Sequence, residues 1–265
     1  MSLENPGGAP HRVDESDIAH SPAAAASMFQ KPAIPFPEGG IAVVFGAGGG
    51  IGNALMDQLK AGRKFEHVVG FSRASTPAID LLEETTLKDA ADFACSRGDI
   101  RLVLDATGFL HDDSHRPEKS WRELQPSHLA RSFALNAIGP ALVMKHVLPL
   151  LPRQGKAVFA TLSARLGSIG ENSLGGWYGY RASKAALNQL VRTAAIELGR
   201  SHPVSICVAL HPGTVDTSLT SSFSKAGLQV QSPAAAAGRL LAVIDRLNPE
   251  DSGGFLDYRG ERVPW

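Results

Sequence analysis

From Ile41 onward the chain alternates short apolar runs with longer stretches whose apolar positions recur every three or four residues. The runs at 41–45, 66–71, 78–82, 101–106, 156–162, 204–210 and 253–257 predict strands. The stretches at 50–61, 86–96, 126–151, 179–200 and 233–247 predict helices, the last with Ser232 as N-cap and Pro233 at its first helical position. Strands that are apolar on both sides belong to a sheet covered on both faces, and their alternation with helices makes that sheet mostly parallel. Right-handed crossovers then give a single doubly wound, Rossmann-type α/β domain of about seven strands, with helices on both faces, over residues 39–265. No internal repeat breaks the pattern. Residues 1–38 are different: rich in Ala, Pro, Gly and Ser, they carry Asp14, Glu15 and Asp17 and lack the basic start and apolar centre of a signal peptide. A flexible N-terminal arm is the expectation, with a clasp onto a neighbouring subunit as the alternative.

Composition narrows the function classes. Lys and Arg number 26 and are balanced by 26 Asp and Glu, so no general electrostatic pull toward nucleic acid or anionic lipid is expected. The two cysteines, Cys95 and Cys207, are far apart and form no CxxC pair, which argues against a disulfide framework or zinc site and for a reducing, cytoplasmic setting. A membrane span needs about 18 uninterrupted apolar residues. The best stretch, 133–151, is interrupted by Asn136, Lys145 and His146, so no membrane partner is expected.

The segment FGAGGGIG, residues 45–52, puts five glycines into eight positions directly after the first strand. Glycine weakens packing and adds entropy to the unfolded chain, so another gain must offset it. The turn from a first strand into a first helix offers one: helix N-termini present unpaired N–H groups and a partial positive charge, and a bare backbone lets phosphates come close. A GxGxxG pattern would need glycine at 51, where Ile51 stands; Gly46, Gly50 and Gly52 instead give GxxxGxG, with Gly48 and Gly49 between them. The second strand ends in Ser72-Arg73. An acidic residue there would accept from a ribose 2′-hydroxyl, whereas Arg pairs with a 2′-phosphate. The expected cofactor is therefore NADP(H), with NAD(H) possible.

Residues 177–188 read WYGYRASKAALN. Tyr180 and Lys184 are four apart near the start of a helix and share one face, which Leu187, Leu190, Val191 and Ala194 continue toward the core. An ammonium beside a phenol favours the phenolate, which makes the tyrosine usable as proton donor to a carbonyl or acceptor from an alcohol.

GxxxGxG after the first strand, followed by YxxxK, resembles the short-chain dehydrogenase/reductase family, and the resemblance runs from Ile41 to Trp265. RASKAALN and the ending GGFLDYRGERVPW are most similar to its carbonyl reductase branch, which includes C-factor and sniffer-type proteins. The resemblance implies a catalytic set of Asn136 in LNAIGP, Ser163 in TLSARLG, Tyr180 and Lys184. Ser163 and Tyr180 would bind a carbonyl oxygen, Tyr180 would deliver the proton, Lys184 would hold the nicotinamide ribose and lower the tyrosine pKa, and Asn136 would continue the proton path through water. It also implies cofactor contacts from Asp80 on the adenine side, from Ala106, Thr107 and Gly108, and from Pro212, Gly213, Val215 and Thr217 in HPGTVDT. A homodimer or homotetramer through helices 126–151 and 179–200 is implied too, although apolar helix faces can equally be buried internally.

Several positions depart from the family pattern. Phe45 stands where Thr is usual, and Asp105-Ala106-Thr107-Gly108 replaces NNAG. Ser163 lies 17 residues before Tyr180, farther than usual, and Ser168, 12 residues before it, is the rival; Ser163 is preferred because it directly follows a strand. His211 either lines the substrate pocket or makes ordinary strand-end hydrogen bonds. The HDDSH cluster at 111–115 lacks the spacing of metal ligands, and no metal is expected. Phe109, Leu110, Arg165, Leu166, Trp177 and a lid from Thr214 to about Gln231 should shape the pocket, Trp177 alternatively being simple packing. The resulting expectation is NADPH-dependent reduction of a small or medium carbonyl compound. An NADP-binding signalling protein with little turnover is the alternative.

Overall fold

The computed structural model describes residues 32–221 and 229–265. Six parallel strands form the central sheet: β1 (Ile41–Phe45), β2 (His67–Phe71), β3 (Ile100–Asp105), β4 (Ala157–Leu162), β5 (Ser205–His211) and β8 (Phe255–Asp257), in the order β2-β1-β3-β4-β5-β8. Between β5 and β8 a second, two-stranded parallel sheet pairs β6 (Thr214–Val215) with β7 (Val230–Gln231). The strand order reverses at β1, which pairs with β2 on one side and β3 on the other. That reversal opens a crevice at the carboxyl ends of β1 and β3, where ligands of open α/β sheets bind.

Alternate strand residues feed two separate cores. Ile41, Val43 and Phe45 face one side, where α2 (Glu84–Cys95), α4 (Gly139–Val147) and α5 (Tyr178–Ser201) pack through Leu87, Val143, Leu187 and Val191. Ala42 and Val44 face the other, where α1 (Gly50–Gly62) and α6 (Pro233–Arg246) contribute Leu55, Leu59, Leu240 and Ile244. This is the expected double-wound arrangement. Ser232 caps α6 as predicted, its hydroxyl accepting from Ala235 N at 3.2 Å. Leu190 departs from its expected place, being 37% exposed, and the buried stripe of α5 continues through Ala195 and Leu198.

Two elements differ from the sequence reading. Residues 78–82 form no strand: Ile79 N donates to Ser72 O and Glu83 N to Asp80 O, so the segment folds back on the end of β2 as turns. Its apolar positions are used for packing instead of pairing, with Ile79 in the core and Leu81 against Gly139 of α4. The predicted helix 126–151 is divided. α3 (Pro126–Phe133) passes through a π-helical segment, Ala134–Ile138, into α4 and then a 3₁₀ turn at Leu148–Leu150. By length and composition the run Pro126–Leu150 qualifies as a candidate membrane span, although the sequence reading counted it as interrupted. One face of it packs in the core, while Lys145 and His146 both engage Glu84 of α2.

Most of the expected arm, 1–31, lies outside the described residues. Of the rest, Phe36 is buried edge-on against Phe65 at 5.3 Å, with the Lys64 and Lys156 ammonium groups 4.8 and 4.9 Å from its ring centre, and Ile34 N donates to Asn248 Oδ1. Residues 222–228 of the expected lid are also outside the described residues.

Candidate active site

The glycine turn leaves β1 and enters α1 at the carboxyl edge of the sheet. Four of its five glycines separate into two kinds, while Gly50 is exposed but crowded by Thr217, whose Cγ2 would lie 2.8 Å from a Cβ there. Gly46 has φ +78°, and a Cβ there would lie 2.9 Å from the Ala106 backbone; a Cβ on Gly52 would lie 2.1 Å from Gly46 O. These two are required by the close approach of backbone to backbone. Gly48 and Gly49 are exposed, and the nearest neighbours of a Cβ would be at an ordinary 3.4 Å. Packing alone therefore does not exclude side chains at 48 and 49. Both lie just ahead of an α1 N-terminus that has no side-chain cap and no acidic residue in its first turn. That is the cradle an anionic diphosphate needs.

Of the other residues expected on the nucleotide side, Ser72, Ala106, Thr107 and Thr217 lie against this turn. Ser72 faces Gly48, its Oγ accepting from Ala74 N at 3.1 Å, and Arg73 beside it is exposed. Asp80 follows Ile79, whose N–H donates to Ser72 O, and its own Oδ1 accepts from Leu82 N at 2.9 Å. Ala106 N donates to Phe45 O, which stitches the end of β3 to β1. Asp105, fully buried, accepts from Thr107 N at 3.1 Å, Thr107 Oγ1 at 2.5 Å and Thr161 Oγ1 at 2.7 Å. Thr217 packs on Gly50. Gly213, at φ +81°, leaves room for the Gln231 amide, which donates to Pro212 O at 2.8 Å, and Val215 is buried in β6.

The other half of the site is built on α5, β4 and the π-helical segment. Tyr180, Lys184 and Asn188 lie at four-residue spacing along one face of α5. Lys184 is buried, donates to Leu162 O at 2.8 Å, and holds its ammonium 6.0 Å from the centre of the Tyr180 ring. Burial pushes Lys184 down to about 8, with Asp105 opposing the shift. Burial also pushes the Tyr180 phenol up to about 12. The expected lowering of the tyrosine by its lysine is thus outweighed by desolvation in this structure, the ammonium being directed at a main-chain carbonyl. Ser163 directly follows β4, is buried, and donates to Asn188 Oδ1 at 2.6 Å. Ser168 is engaged elsewhere: its Oγ accepts from Glu171 N at 3.2 Å and donates to Trp265 O at 3.5 Å.

Asn136 sits in the π-helical segment, a feature that often marks functional sites. Its Oδ1 accepts from Phe109 N at 2.7 Å, and its Nδ2 donates to Phe109 O at 2.8 Å and Ser183 Oγ at 3.2 Å. A Cβ on Gly108 would lie 3.8 Å from both Asn136 Oδ1 and Lys184 Nζ, so the loop after β3, the π segment and α5 meet at one point. His211 ends β5; burial holds it down at about 4, helped by Arg165, so its imidazole is neutral, and its Nδ1 is buried without a hydrogen bond. Trp177, the N-cap residue of α5, packs edge-on against Tyr180 at 6.2 Å. The HDDSH segment turns on itself, Asp112 Oδ1 accepting from Ser114, with His115 edge-on to Phe109 and tilted against His128.

Two residues that the sequence reading missed also belong here. Glu118 is buried beneath the start of α5: its main-chain carbonyl accepts from Trp177 N, and its Oε2 accepts from Gly179 N at 3.0 Å. No local pattern announces it, because its partners are about 60 residues away along the chain. Asn188 was readable as the next member of the Tyr180, Lys184 stripe.

Comparison with known proteins gives the same frame. A family model described as enoyl-(acyl carrier protein) reductase matches residues 47–245. C-signal of Myxococcus xanthus is 43% identical over 138 residues, which cover 52% of this chain and 78% of that protein. Several further curated relatives are matched over only 58–60% of their length. Among solved structures, NADPH-bound carbonyl reductase from chicken fatty liver superposes with a TM-score of 0.75 at 23% identity, covering 88% of this chain and 96% of that one. Carbonyl reductase Sniffer of D. melanogaster gives 0.73 at 24% identity, covering 86% and 100%. With the family model matched over most of the domain and its glycine turn and YxxxK helix meeting at one sheet edge, the chain belongs to the short-chain dehydrogenase/reductase family of oxidoreductases.

Proposed function

We propose that this protein reduces a small or medium aldehyde or ketone with NADPH, and in reverse oxidises the alcohol. The observation that carries the reading is the meeting of Ser163, at the end of β4, with the Tyr180–Lys184–Asn188 face of α5, across the crevice from a bare glycine turn. The diphosphate would rest on Gly48–Gly50 and the α1 N-terminus, with Ser72 and Arg73 at the 2′-phosphate, Asp80 on the adenine side, and Pro212 to Thr217 over the nicotinamide. The reduced nicotinamide, when bound, supplies hydride to the carbonyl carbon.

The chain's own residues handle the oxygen. Ser163 and Tyr180 hydrogen-bond it, and Tyr180 Oη passes its proton to it as negative charge develops, a role for which a phenol still protonated at neutral pH is suited. Lys184 keeps a positive charge behind the phenol, so that the tyrosinate left after transfer is stabilised. Asn136 fixes the Phe109 loop and the Ser183 side of α5, holding Lys184 in register. Phe109, Leu110, Leu166 and Trp177 line the apolar side of the pocket.

A second reading, an NADP-binding signalling protein with little turnover, is favoured by the similarity to C-signal. Tyr180→Phe separates the two. In an enzyme, kcat for reduction of aldehydes, ketones or 1,2-dicarbonyls should fall by about 100-fold or more while NADPH binding, read by fluorescence titration, changes little. A wild-type protein that reduces nothing in such a panel, or a Tyr180→Phe variant that reduces as well as wild type, rejects the enzyme reading. A kcat/KM for NADH equal to that for NADPH rejects the role given to Arg73.

A further inference from the structure

Ser163 Oγ and Asn188 Oδ1 are 2.6 Å apart, and both residues are buried, at 3% and 2% exposure. The contact poses a proton problem. A serine hydroxyl has one proton to give. Directed at Asn188 Oδ1, that proton is withheld from any carbonyl in the crevice. At the same time Asn188 Nδ2 is buried and has no hydrogen-bond partner. A buried orphan N–H is rarer and costlier than an under-used C=O.

A half-turn of the amide about its last bond exchanges its two ends within the same outline. Nδ2 then donates to Ser163 Oγ, the serine proton is released toward the crevice, and the group left short of a partner is a carbonyl. We propose that Asn188 is the positioning residue that sets the direction of the Ser163 proton. With its amide nitrogen occupying one acceptor site of the serine oxygen, the hydroxyl is turned into a donor for the substrate's carbonyl oxygen. No bond is made or broken by Asn188; it acts through Ser163 alone. The inference rests on the reading of Ser163 as the carbonyl-binding hydroxyl of a reductase.

Three substitutions test it, each assayed with NADPH and the carbonyl compound that wild type reduces fastest in the panel above. Ser163→Ala removes the donor and should lower kcat by about 100-fold. Asn188→Ala leaves the serine proton free but undirected and should lower kcat by about 10-fold. Asn188→Asp keeps the outline of the side chain but, once ionised, can only accept, so it captures the serine proton. Its kcat relative to wild type should therefore fall as pH rises from 6 to 9, approaching that of Ser163→Ala, with NADPH affinity unchanged within about twofold. In the Ser163→Ala background, Asn188→Ala should cost less than about twofold more. A structural role predicts the opposite order, with the cavity-forming Ala worse than the isosteric Asp, and losses that multiply in the double variant.

Asn188→Asp active as wild type across that pH range, or multiplying losses, overturns the inference while leaving the reductase reading intact. Ser163→Ala active as wild type, or no reduction by wild type, overturns both. If Asn188→Ala does not fold, the pH series of the isosteric Asp variant decides alone.

Discussion

Where β1 ends the chain presents backbone, and where β4 ends it presents side chains. At the β1 edge, a run of glycines, a bare helix N-terminus and the Phe45–Ala106 main-chain bond form a cradle that almost no side chain enters. At the β4 edge, Ser163, Tyr180, Lys184, Asn188 and Asn136 are held by contacts from helix, loop and π segment. A nucleotide's phosphates are the same in every turnover and are met by fixed N–H groups. A reacting carbonyl needs a donor whose proton moves, so its surroundings are titratable and buried. The difference teaches where each half is vulnerable: the first to added atoms, the second to lost partners.

The largest effect should come from adding one methyl group to the turn. Gly52→Ala places a Cβ 2.1 Å from Gly46 O, and the backbone must shift. Overpacking of this kind costs about 1–3 kcal/mol or more, so thermal unfolding should move down by several degrees and NADPH binding should be lost with it. Gly48→Ala, four positions earlier, meets nothing closer than 3.4 Å. It should melt like wild type yet bind NADPH at least about tenfold more weakly, because its methyl fills the diphosphate's place. Equal melting of both variants, or unchanged binding by Gly48→Ala, would break the division of the glycines into structural and ligand-facing.

The second half has its own weak point at Glu118. Residues 175, 176 and 177 are all left-handed, and Trp177 at φ +52° is an uncommon conformation for a bulky residue. Glu118 grips this turn from both sides, by its carbonyl to Trp177 N and its carboxylate to Gly179 N. Glu118→Ala leaves Gly179 N buried without an acceptor, a loss of about 1–3 kcal/mol. Since Tyr180 is the next residue, kcat should drop and KM for the carbonyl should rise, with NADPH affinity held. Glu118→Gln retains an acceptor oxygen and should recover most of the activity. If Gln is as damaging as Ala, the carboxylate acts by charge and not as an anchor.

The same contrast explains what could be read in advance. The cradle is local: a strand, five glycines and a helix start within a dozen residues, and strand–helix periodicity placed them at one sheet edge. The four-residue spacing of Tyr180 and Lys184 was equally local, and the helix delivered it. At residues 78–82 apolar alternation does not distinguish packing on α4 from pairing in a sheet. The π segment at Ala134–Ile138 has no sequence signal in a single chain, because its apolar spacing is close to that of an α-helix. Glu118 and the tie between Ser168 and Trp265 join residues far apart in sequence, so only the folded chain brings them together. Tyr180 and Lys184 share a face of α5 as their spacing predicts, but the direction of the tyrosine's shift depends on burial, which spacing does not report.

The smallest and most diagnostic change should be a displacement in pH. Lys184 is poised at about 8 because burial, which disfavours its charge, is partly opposed by Asp105. Tyr180, held near 12, stays protonated across the working range, so the proton donor is not what limits activity at alkaline pH. The limit is the ammonium: as pH rises through about 8, Lys184 loses its charge and kcat/KM for carbonyl reduction should fall. Burial pushes the Asp105 carboxyl up, while the three hydrogen bonds it accepts from Thr107 and Thr161 and the nearby Lys184 favour its ionised form. Asp105→Asn removes the negative charge that opposes burial at Lys184, so Lys184 must titrate lower and the alkaline limb should move to more acidic pH. The amide oxygen can still accept from Thr107, and the Thr161 hydroxyl must turn to accept from the new amide nitrogen. A limb that stays in place would mean the Asp105 charge is not felt at Lys184; a limb that moves to higher pH would mean that the charge behind the phenol is supplied by a group other than Lys184.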